Sequence, residues 1–401
     1  MTLHVIGAGL AGLACALAAV DAGLDVELHE AAGQAGGRCR SWFDPALGRV
    51  IDNGSHMVVG GNRAVFRHLA RIGAIDQLSP GPAALPMLDL GSDARWSASP
   101  VRLLPSVIAA GWRMGGGEAC IAARLGRSRH YRDFWQPLAL AVMNTPPEQA
   151  STQVFRRVLA RTLWRGTAAS RPHVARHGLS AAFVDPALAA LVQTGASVRL
   201  HHPLRAIGLD GNRVAALEFD DVTYRLSRHD SVVLAVPWWI AASLLPDARP
   251  ALPASPIVNA HFRVSIPVEK RPPAGMLGLL GGTAEWLFLR DDVLSVTVSA
   301  AAGLLERSVG EIAERLWADV DKALDLKDSP AAVRVIKEKR ATLFHSPEVE
   351  KRRPAPRLAA NLLLAGDWTA TGLPCTLEGA LLSGERAARE TVAGALSDRS
   401  R

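Results

Sequence analysis

The chain has 401 residues, of which 49% are hydrophobic and 21% are charged, and its formal net charge is +7. This length allows two or three domains with sizeable cores, and the composition is typical of a soluble globular protein. The uncharged run from Ser231 to Pro246 is shorter than the ~18–20 residues of a membrane-spanning helix and contains Pro237, so no spanning segment is predicted.

The N-terminus and the cysteines indicate the compartment. The apolar start, Val5 to Val20, is not interpreted as a signal peptide, because no basic residue precedes it and the first arginine is Arg38. The cysteines form neither a CxxC pair nor a His/Cys cluster, so no metal site is predicted; they are Cys15, Cys39, Cys120 and Cys375. We therefore expect a cytoplasmic protein with reduced thiols.

The first glycine signal lies at the start of the chain. An apolar run at residues 3–7 leads into Gly7-Ala8-Gly9-Leu10-Ala11-Gly12, then a small-residue helix, a second strand at Asp25–His29 and finally Glu30. This order is typical of a dinucleotide-binding domain. Gly7 would allow the tight turn, Gly9 the approach of a pyrophosphate, and Gly12 close packing of helix on strand. Glu30 would accept the hydroxyls of the adenosine ribose.

A second glycine signal distinguishes FAD from NAD. Gly36-Gly37-Arg38 follows Glu30 by six residues. An NAD domain does not need a glycine pair and an arginine here, whereas the longer FAD molecule is held from a second loop. The Arg38 guanidinium is planar and always charged, which suits phosphate oxygens. The alternative is a surface loop with an exposed arginine.

A third signal comes near the C-terminus. Asn361 to Trp368 predicts a strand followed by Gly366 and Asp367, and a helix is predicted from Leu377 to Ala395. Thr376 can cap this helix, whose N-terminus would face the flavin or its ribityl chain. Asp367 could accept ribityl hydroxyls or could simply be a turn residue.

The fold predicted from these elements is α/β. A Rossmann-like FAD-binding domain, a doubly wound parallel sheet with a β-meander, would comprise residues 1–80, 180–240 and 350–401. A discontinuous α+β substrate domain would comprise 81–179 and 241–349, helical over 100–178 and mainly sheet over 255–345. Within the helical part, Thr145-Pro146-Pro147-Glu148 predicts a helix start with Thr145 as N-cap.

Together these motifs resemble the flavin amine oxidase and phytoene desaturase superfamily. Three further segments resemble the hydroxysqualene dehydroxylase family, whose members are FAD-dependent squalene-forming enzymes: Asp52-Asn53-Gly54-Ser55-His56, residues 135–151 around Asn144-Thr-Pro-Pro, and residues 365–380. The resemblance covers nearly the whole chain. It implies reduction of hydroxysqualene to squalene, with hydride from reduced flavin N5 delivered to an allylic carbon and loss of water, in squalene and hopanoid biosynthesis.

This resemblance also defines candidate site residues. His56 is the candidate proton donor for the departing hydroxyl, or else it only packs on the flavin; Asp52 is a second catalytic candidate that could instead hold the loop backbone. FAD is expected to be noncovalent, with Cys375 the only thiol near it. The predicted FAD contacts are Gly7, Gly9, Leu10, Ala11, Gly12, Glu30, Ala31, Gly36, Gly37, Arg38, Gly54, Ser55, His56, Val198, Gly366, Asp367, Thr376, Leu377 and Gly379.

Three rival functions remain at this point. A carotenoid-type desaturase would share the fold and FAD but move hydride in the opposite direction. An amine oxidase usually places two tyrosines beside the flavin, and this chain has only Tyr131 and Tyr224. A non-catalytic binding protein, similar to the GDP-dissociation inhibitors, would lack flavin and be colourless.

Partners follow from the same reasoning. No second strand–GxGxxG unit is present, so a separate electron donor is expected. The excess of basic over acidic residues indicates either a solvated arginine surface or attraction to an anionic membrane. Nucleic-acid binding is not expected. The candidate for peripheral membrane contact is Pro100 to Arg129, where Trp112 and other apolar residues precede several arginines. The alternative is a helix of the substrate-domain core.

Overall fold

The computed structural model describes residues 1–99, 101, 103–115, 117–245 and 251–399, with backbone only for 395–399. Its first sheet has six strands in the order β10 (Ser197–Arg199), β2 (Asp25–His29), β1 (Thr2–Ile6), β14 (Ser231–Leu234), β21 (Leu362–Leu364) and β20 (Arg357–Ala359). The first five strands are parallel, and β20 pairs antiparallel at the edge. Helices cover this sheet, which explains why β14 and β21 are almost continuously apolar.

The helices around this sheet are α1 (Leu10–Asp21), α2 (Arg63–Arg71), α8 (Asp185–Gln193) and α12 (Leu377–Arg399). α1 is buried along most of its length because its residues are small and apolar. α12 lies directly against it at Gly384, where a Cβ atom would come within 2.1 Å of the Ala11 carbonyl oxygen. Small residues therefore let these two helix backbones approach closely beside the first glycine turn.

The structure also contains three smaller sheets, of which the two-stranded hairpin packs against the second large sheet of the molecule. The predicted meander is present as β11 (Leu204–Asp210), β12 (Arg213–Phe219) and β13 (Thr223–Arg225). A hairpin is formed by β3 (Ser41–Asp44) and β4 (Arg49–Asp52). The third small sheet contains β5 (Met57–Val59), β9 (Pro172–Ala175) and β6 (Leu78–Pro80). The strand β9 lies inside the range 100–178 that was expected to be helical, so that expectation was wrong for these residues.

A second large sheet forms the other half of the molecule. Its seven strands are, in order, β19 (Ala332–Leu343), β15 (Ala254–Arg263), β18 (Val293–Val298), β17 (Trp286–Arg290), β16 (Met276–Leu280), β7 (Leu85–Asp89) and β8 (Arg95–Ala98). The range 255–345 also contains one long helix, α10 (Val309–Leu324), which buries Ile312, Leu316 and Val320 in the core of this half. β7 and β8 come from outside that range.

A helical layer packs beside this sheet. It contains α3 (Leu104–Arg113), α4 (Ile121–Leu125), α5 (Gln136–Met143), α6 (Thr152–Arg161) and α7 (Thr167–Ser170). Trp135, Met143 and Phe155 form its core together with Trp286 of β17. Two short helices lie elsewhere in the chain, α9 (Trp238–Leu244) and α11 (Pro347–Arg352).

The helix start predicted at Thr145 is wrong. Helix α6 begins at Thr152, and the Ser151 hydroxyl caps it by accepting the Val154 N–H at 3.4 Å. The Thr145 hydroxyl instead donates to the Met143 carbonyl and accepts the N–H of His345, 200 residues away. A long-range contact therefore takes the hydroxyl that local capping rules assign to a helix end.

The strands of the six-stranded sheet all come from residues 1–80, 180–240 and 350–401, and those of the seven-stranded sheet from 81–179 and 241–349. The division of the chain into two domains at these boundaries stays a prediction. Within the residues that the structure describes, no helix has both the length and the apolar character needed to cross a membrane.

Candidate active site

A cavity of about 710 Å³ is lined by side chains and backbone from both large sheets and the helical layer. It brings together most of the predicted cofactor residues, and the following line it: Gly7, Gly9, Leu10, Ala11, Glu30, Ala31, Gly36, Gly37, Arg38, Gly54, Ser55, His56, Gly366, Asp367, Thr376 and Leu377. The three glycine signals, far apart in the chain, therefore meet at one cavity.

Three predicted cofactor residues are not part of the lining. A Cβ atom on Gly12 would lie 1.9 Å from the Gly7 carbonyl oxygen, and one on Gly379 would lie 3.1 Å from that of Pro374, so both glycines permit close backbone packing. Val198 lies in the edge strand β10 and pairs with Leu28. A direct contact of these three residues with the cofactor is not supported.

The first glycine turn has the geometry that a pyrophosphate needs. Gly7 has a φ angle of +102°, and a Cβ atom there would lie 2.7 Å from the Ala235 carbonyl oxygen. Gly9 has no atom within 4 Å of its Cβ position, so its backbone is open to the cavity. Helix α1 starts at Leu10 without a side-chain cap and without an acidic residue in its first turn. Its N-terminal N–H groups and positive dipole end are thus available to an anion, which fits a dinucleotide.

Glu30 is held at the edge of this turn. One carboxylate oxygen accepts the Ala8 N–H at 2.8 Å, and the other accepts the Ala32 N–H at 2.9 Å. These bonds fix the carboxylate in the cavity wall, and each oxygen keeps a further lone pair. This arrangement fits the predicted role of Glu30 as acceptor for ribose hydroxyls.

The second glycine loop closes on the first. The Gly36 N–H donates to the Ala8 carbonyl at 2.8 Å. Arg38 donates from Nη2 to both oxygens of Asp367, at 2.7 and 2.8 Å, and from Nη1 to the Ala341 carbonyl. Sequence reasoning assigned Arg38 to phosphate and Asp367 to the ribityl chain as separate groups. The structure adds that each neutralises the other within the cavity wall.

The start of helix α12 completes this end of the cavity. The Thr376 hydroxyl accepts the Gly379 N–H at 3.2 Å, in the N-cap arrangement predicted for it. Gly366 has a φ angle of +148°, and its N–H donates to the Ser383 hydroxyl at 2.8 Å. The strand end and the helix that follows are thereby fixed against one another.

Asp52 does not reach the cavity lining. One of its oxygens accepts the Ser41 hydroxyl at 2.5 Å and the Leu179 N–H at 2.9 Å, and the other accepts Arg290 Nη1 at 2.6 Å. The carboxylate is thus committed to joining four segments of the chain. This geometry argues against a catalytic part for Asp52 and favours the alternative that it holds the loop.

His56 does line the cavity, but its hydrogen bonding changes its expected chemistry. Its Nδ1 lies 2.8 Å from the Gly54 carbonyl oxygen, which can only accept, so Nδ1 carries the proton. Burial lowers the pKa of His56, although the Gly54 carbonyl partly opposes the effect. The ring is therefore neutral near pH 7, and Nε2 is a hydrogen-bond acceptor. The predicted role of proton donor is not favoured by this tautomer.

Two buried asparagines line the cavity but were not among the predicted site residues, although Asn144 belongs to the segment 135–151 on which the family resemblance rests. Asn259 of β15 donates to the Asn53 carbonyl and accepts the Thr297 hydroxyl, and a Cβ atom on Gly54 would lie 2.9 Å from its Nδ2. Asn144 donates to Ser255 and Thr342 and accepts the Ala300 N–H, and it adopts a left-handed conformation with φ of +46°. For Asn259, the available signal in the sequence was a polar residue within the largely apolar strand β15.

Cys39 was also missed. It lines the cavity together with Cys375, so Cys375 is not the only thiol close to the cofactor site. Burial is the main reason that the pKa values of both thiols are raised, which keeps the sulfur atoms protonated. Neither tyrosine of the chain lines the cavity. The aromatic pair that would guide an amine is therefore not made by tyrosines.

The glycine turn at residues 7–12, the carboxylate of Glu30 and the second glycine loop at residues 36–38 are together typical of a flavin-binding oxidoreductase. A sequence model described as flavin-containing amine oxidoreductase matches residues 10–109 and 118–392. A cyclohexylamine oxidase from Brevibacterium oxydans has a similar structure, with a TM-score of 0.74 at 16% identity over 100% of this chain and 99% of that one. The protein is an FAD-dependent oxidoreductase with an α/β fold.

The relatives narrow the class further. Hydroxysqualene dehydroxylase from Rhodopseudomonas palustris is 39% identical, and that from Sinorhizobium fredii is 38% identical, each over 96% of this chain and 97% of the relative. The chain belongs to the hydroxysqualene dehydroxylase family within the flavin-containing amine oxidoreductases.

Proposed function

We propose that this protein reduces hydroxysqualene to squalene. When bound, reduced FAD supplies the hydride that replaces the hydroxyl group of the substrate, and the hydroxyl leaves as water. The observation that carries the proposal is that the dinucleotide cradle and an apolar compartment belong to the same cavity. Full-length similarity to two hydroxysqualene dehydroxylases supports the choice of substrate.

The apolar compartment suits a long isoprenoid. It lies between the helical layer and the seven-stranded sheet and is lined by Leu85, Ala98, Phe134, Leu138, Val142, Leu163, Trp286 and Phe288. Such a wall excludes water from a carbon that becomes cation-like as the hydroxyl leaves. The faces of Trp286 and Phe288 can also stabilise positive charge electrostatically.

His56 has a positioning role in this proposal. Its Nε2 accepts a hydrogen bond from the substrate hydroxyl and thereby orients the carbon–oxygen bond in the cavity. The neutral tautomer set by the Gly54 carbonyl makes this role chemically suitable. The proton that turns the hydroxyl into water then comes from another group.

Delivery of the substrate involves the exposed face of α3. Leu104, Ile108 and Trp112 are 51%, 54% and 83% exposed and follow at intervals of four residues, so they share one face of the helix. The opposite face buries Val107 and Ala110 in the helical core. The two sequence interpretations of this segment, core helix and interfacial helix, are thus compatible.

Arginines near this face complement an anionic membrane. Arg113 ends α3 and Arg127 and Arg129 follow α4, and all three are exposed. Pro100 and Arg102, which belong to the predicted segment, lie outside the described residues. We propose that the protein is cytoplasmic and contacts the membrane peripherally through α3. A separate electron donor reduces the flavin.

A comparison of two substrates tests the proposed reaction. The protein with reduced FAD is incubated without oxygen with hydroxysqualene, and the oxidised protein is incubated with phytoene. Squalene in the first reaction and unchanged phytoene in the second are expected. Desaturated carotenoid without any squalene would identify a desaturase instead.

A further inference from the structure

A cluster of imidazoles lies next to the dinucleotide turn, on the face of the six-stranded sheet that the meander covers. His4 of β1 pairs in register with Glu27 of β2, and Ile6 pairs with His29, so these side chains share one face. His4 and His29 are 3% and 0% exposed. The rings of Phe219 and Tyr224 lie against His29, at centroid distances of 4.7 and 5.7 Å.

Three side-chain atoms of this cluster converge. His4 Nδ1 lies 3.4 Å from His29 Nε2 and 3.9 Å from Glu27 Oε2, and the last two atoms lie 3.7 Å apart. The point equidistant from all three is about 2.1 Å from each, which is the length of zinc–nitrogen and zinc–oxygen bonds. We propose that His4, Glu27 and His29 bind a zinc ion, with solvent completing its coordination.

The unmet bonding capacity of Glu27 supports this site. Its Oε2 is buried and accepts no hydrogen bond among the residues described, although the Tyr224 hydroxyl lies near enough to the Glu27 carboxylate for Glu27 to help raise the pKa of Tyr224, after burial. A buried carboxylate oxygen without a partner is costly, and a metal ion would satisfy it. Two imidazoles and one carboxylate form a ligand set that zinc commonly uses.

The neighbouring hydrogen bonds set the tautomer that zinc requires at His29, whereas at His4 zinc would displace the proton that Nδ1 donates to His29 Nε2 at 3.4 Å. His202 Nε2 lies 3.1 Å from the Asp221 carboxylate and must donate to it, so His202 Nδ1 is an acceptor. His29 Nδ1, 3.0 Å away, donates to it, which leaves the lone pair of His29 on Nε2, facing Glu27 and His4. A ring N–H donated to a second group is the usual arrangement of a metal-bound histidine.

The position of the site suggests what the ion does. The His29 carbonyl accepts the Gly7 N–H at 2.7 Å, and His29 and His202 also line the cavity. An ion held between β1 and β2 would fix the two strand ends that carry Gly7 and Glu30. Zinc is thus expected to raise the unfolding temperature of the protein and to have a structural rather than a redox role.

Metal titration tests the site without an activity assay. The flavin-loaded protein is treated with a chelator and titrated calorimetrically with zinc sulfate, and cobalt(II) is added to a second sample. One ion per chain is expected, with cobalt absorption to the red of the flavin bands. Glu27→Gln should abolish this stoichiometric binding, and His202→Gln should weaken it about 10- to 100-fold, because His202 accepts the hydrogen bond that orients His29.

The exposed neighbour His201 provides the matched control. His201→Gln should bind zinc as the unchanged protein does, and circular dichroism confirms that each variant is folded. The proposal is wrong if the unchanged protein binds no zinc, or if Glu27→Gln binds it as tightly. Loss of binding in His201→Gln alone would identify an adventitious surface ion and would equally overturn the proposal. None of these outcomes depends on hydroxysqualene reduction.

Discussion

At the level of single residues, Glu30 carries a direct prediction. Replacing it with alanine removes the acceptor for the ribose and leaves the Ala8 N–H without its partner. We expect FAD affinity to fall by roughly 1–3 kcal/mol, the cost of leaving buried polar groups unpaired. Titration of the apoprotein with FAD measures this effect. Asp25→Ala, an exposed acid at the start of the strand that leads to Glu30, is the control, and equal affinities for the two variants would show that Glu30 does not bind the ribose.

The pH dependence of turnover distinguishes two roles of His56. Its pKa lies below the ordinary value because of burial, so the ring is protonated only in acid. As an acceptor of the substrate hydroxyl, it should give a rate that is constant through neutral pH and falls as the pH drops through this lowered pKa. As a proton donor, it would give a rate that rises over the same range.

A variant assigns that pH dependence to His56. His56→Gln should slow turnover while leaving the flavin content unchanged. The pH–rate profile of this variant should lack the fall in rate at acidic pH. If the rate and the profile match those of the unchanged protein, His56 only packs against the site.

The two thiols of the cavity lead to a third prediction. A covalent flavin link through sulfur requires a thiolate, and burial keeps Cys39 and Cys375 protonated. FAD should therefore be bound noncovalently, and acid precipitation should release all the yellow colour into the supernatant. Flavin retained in the washed pellet would contradict this expectation, and Cys39→Ser and Cys375→Ser would then identify the attachment site.

At the level of elements, α3 exposes an apolar face that the fold does not cover. The protein should sediment with anionic liposomes at low salt, and less at high salt because the arginine contribution is screened. Replacing Leu104 and Trp112 with serine removes side chains worth about 1.5–3 kcal/mol each on full burial, so binding should weaken more than tenfold.

The control for α3 is Val268→Ser, since Val268 is 74% exposed at a different place in the structure. It should bind liposomes as the unchanged protein does, and all variants should keep their FAD. If the unchanged protein stays in the supernatant at low salt, a carrier or partner must deliver the substrate.

For the whole molecule, the features that could be predicted from the sequence are those that depend on residues close together in the chain. The order and spacing of Gly7, Glu30 and Gly366 predicted FAD and the strands that hold it, because glycine turns and helix N-termini follow short-range rules. Long-range contacts could not be predicted in this way. They include the pairing of Arg38 with Asp367, 329 residues away, and the bonds that commit Asp52 to Arg290.

The histidine cluster shows the same limit. His4 and Glu27 lie on different strands, and only the register of β1 and β2 brings them together. No spacing rule for metal ligands covers such a pair, so the sequence predicted no metal site. The tautomer of His56 likewise depends on the loop conformation around Gly54 and not on residue type.

In the proposed reaction, hydride from reduced FAD replaces the hydroxyl group of hydroxysqualene. The most direct test is a single turnover in deuterium oxide, where the N5 hydrogen of reduced flavin exchanges with solvent. The protein is reduced without oxygen, mixed with hydroxysqualene, and the product is analysed by mass spectrometry while flavin absorption is followed. We predict squalene with one deuterium at the carbon that carried the hydroxyl, formed as the flavin is reoxidised. Flavin that stays reduced, with hydroxysqualene recovered unchanged, would contradict the proposed reaction.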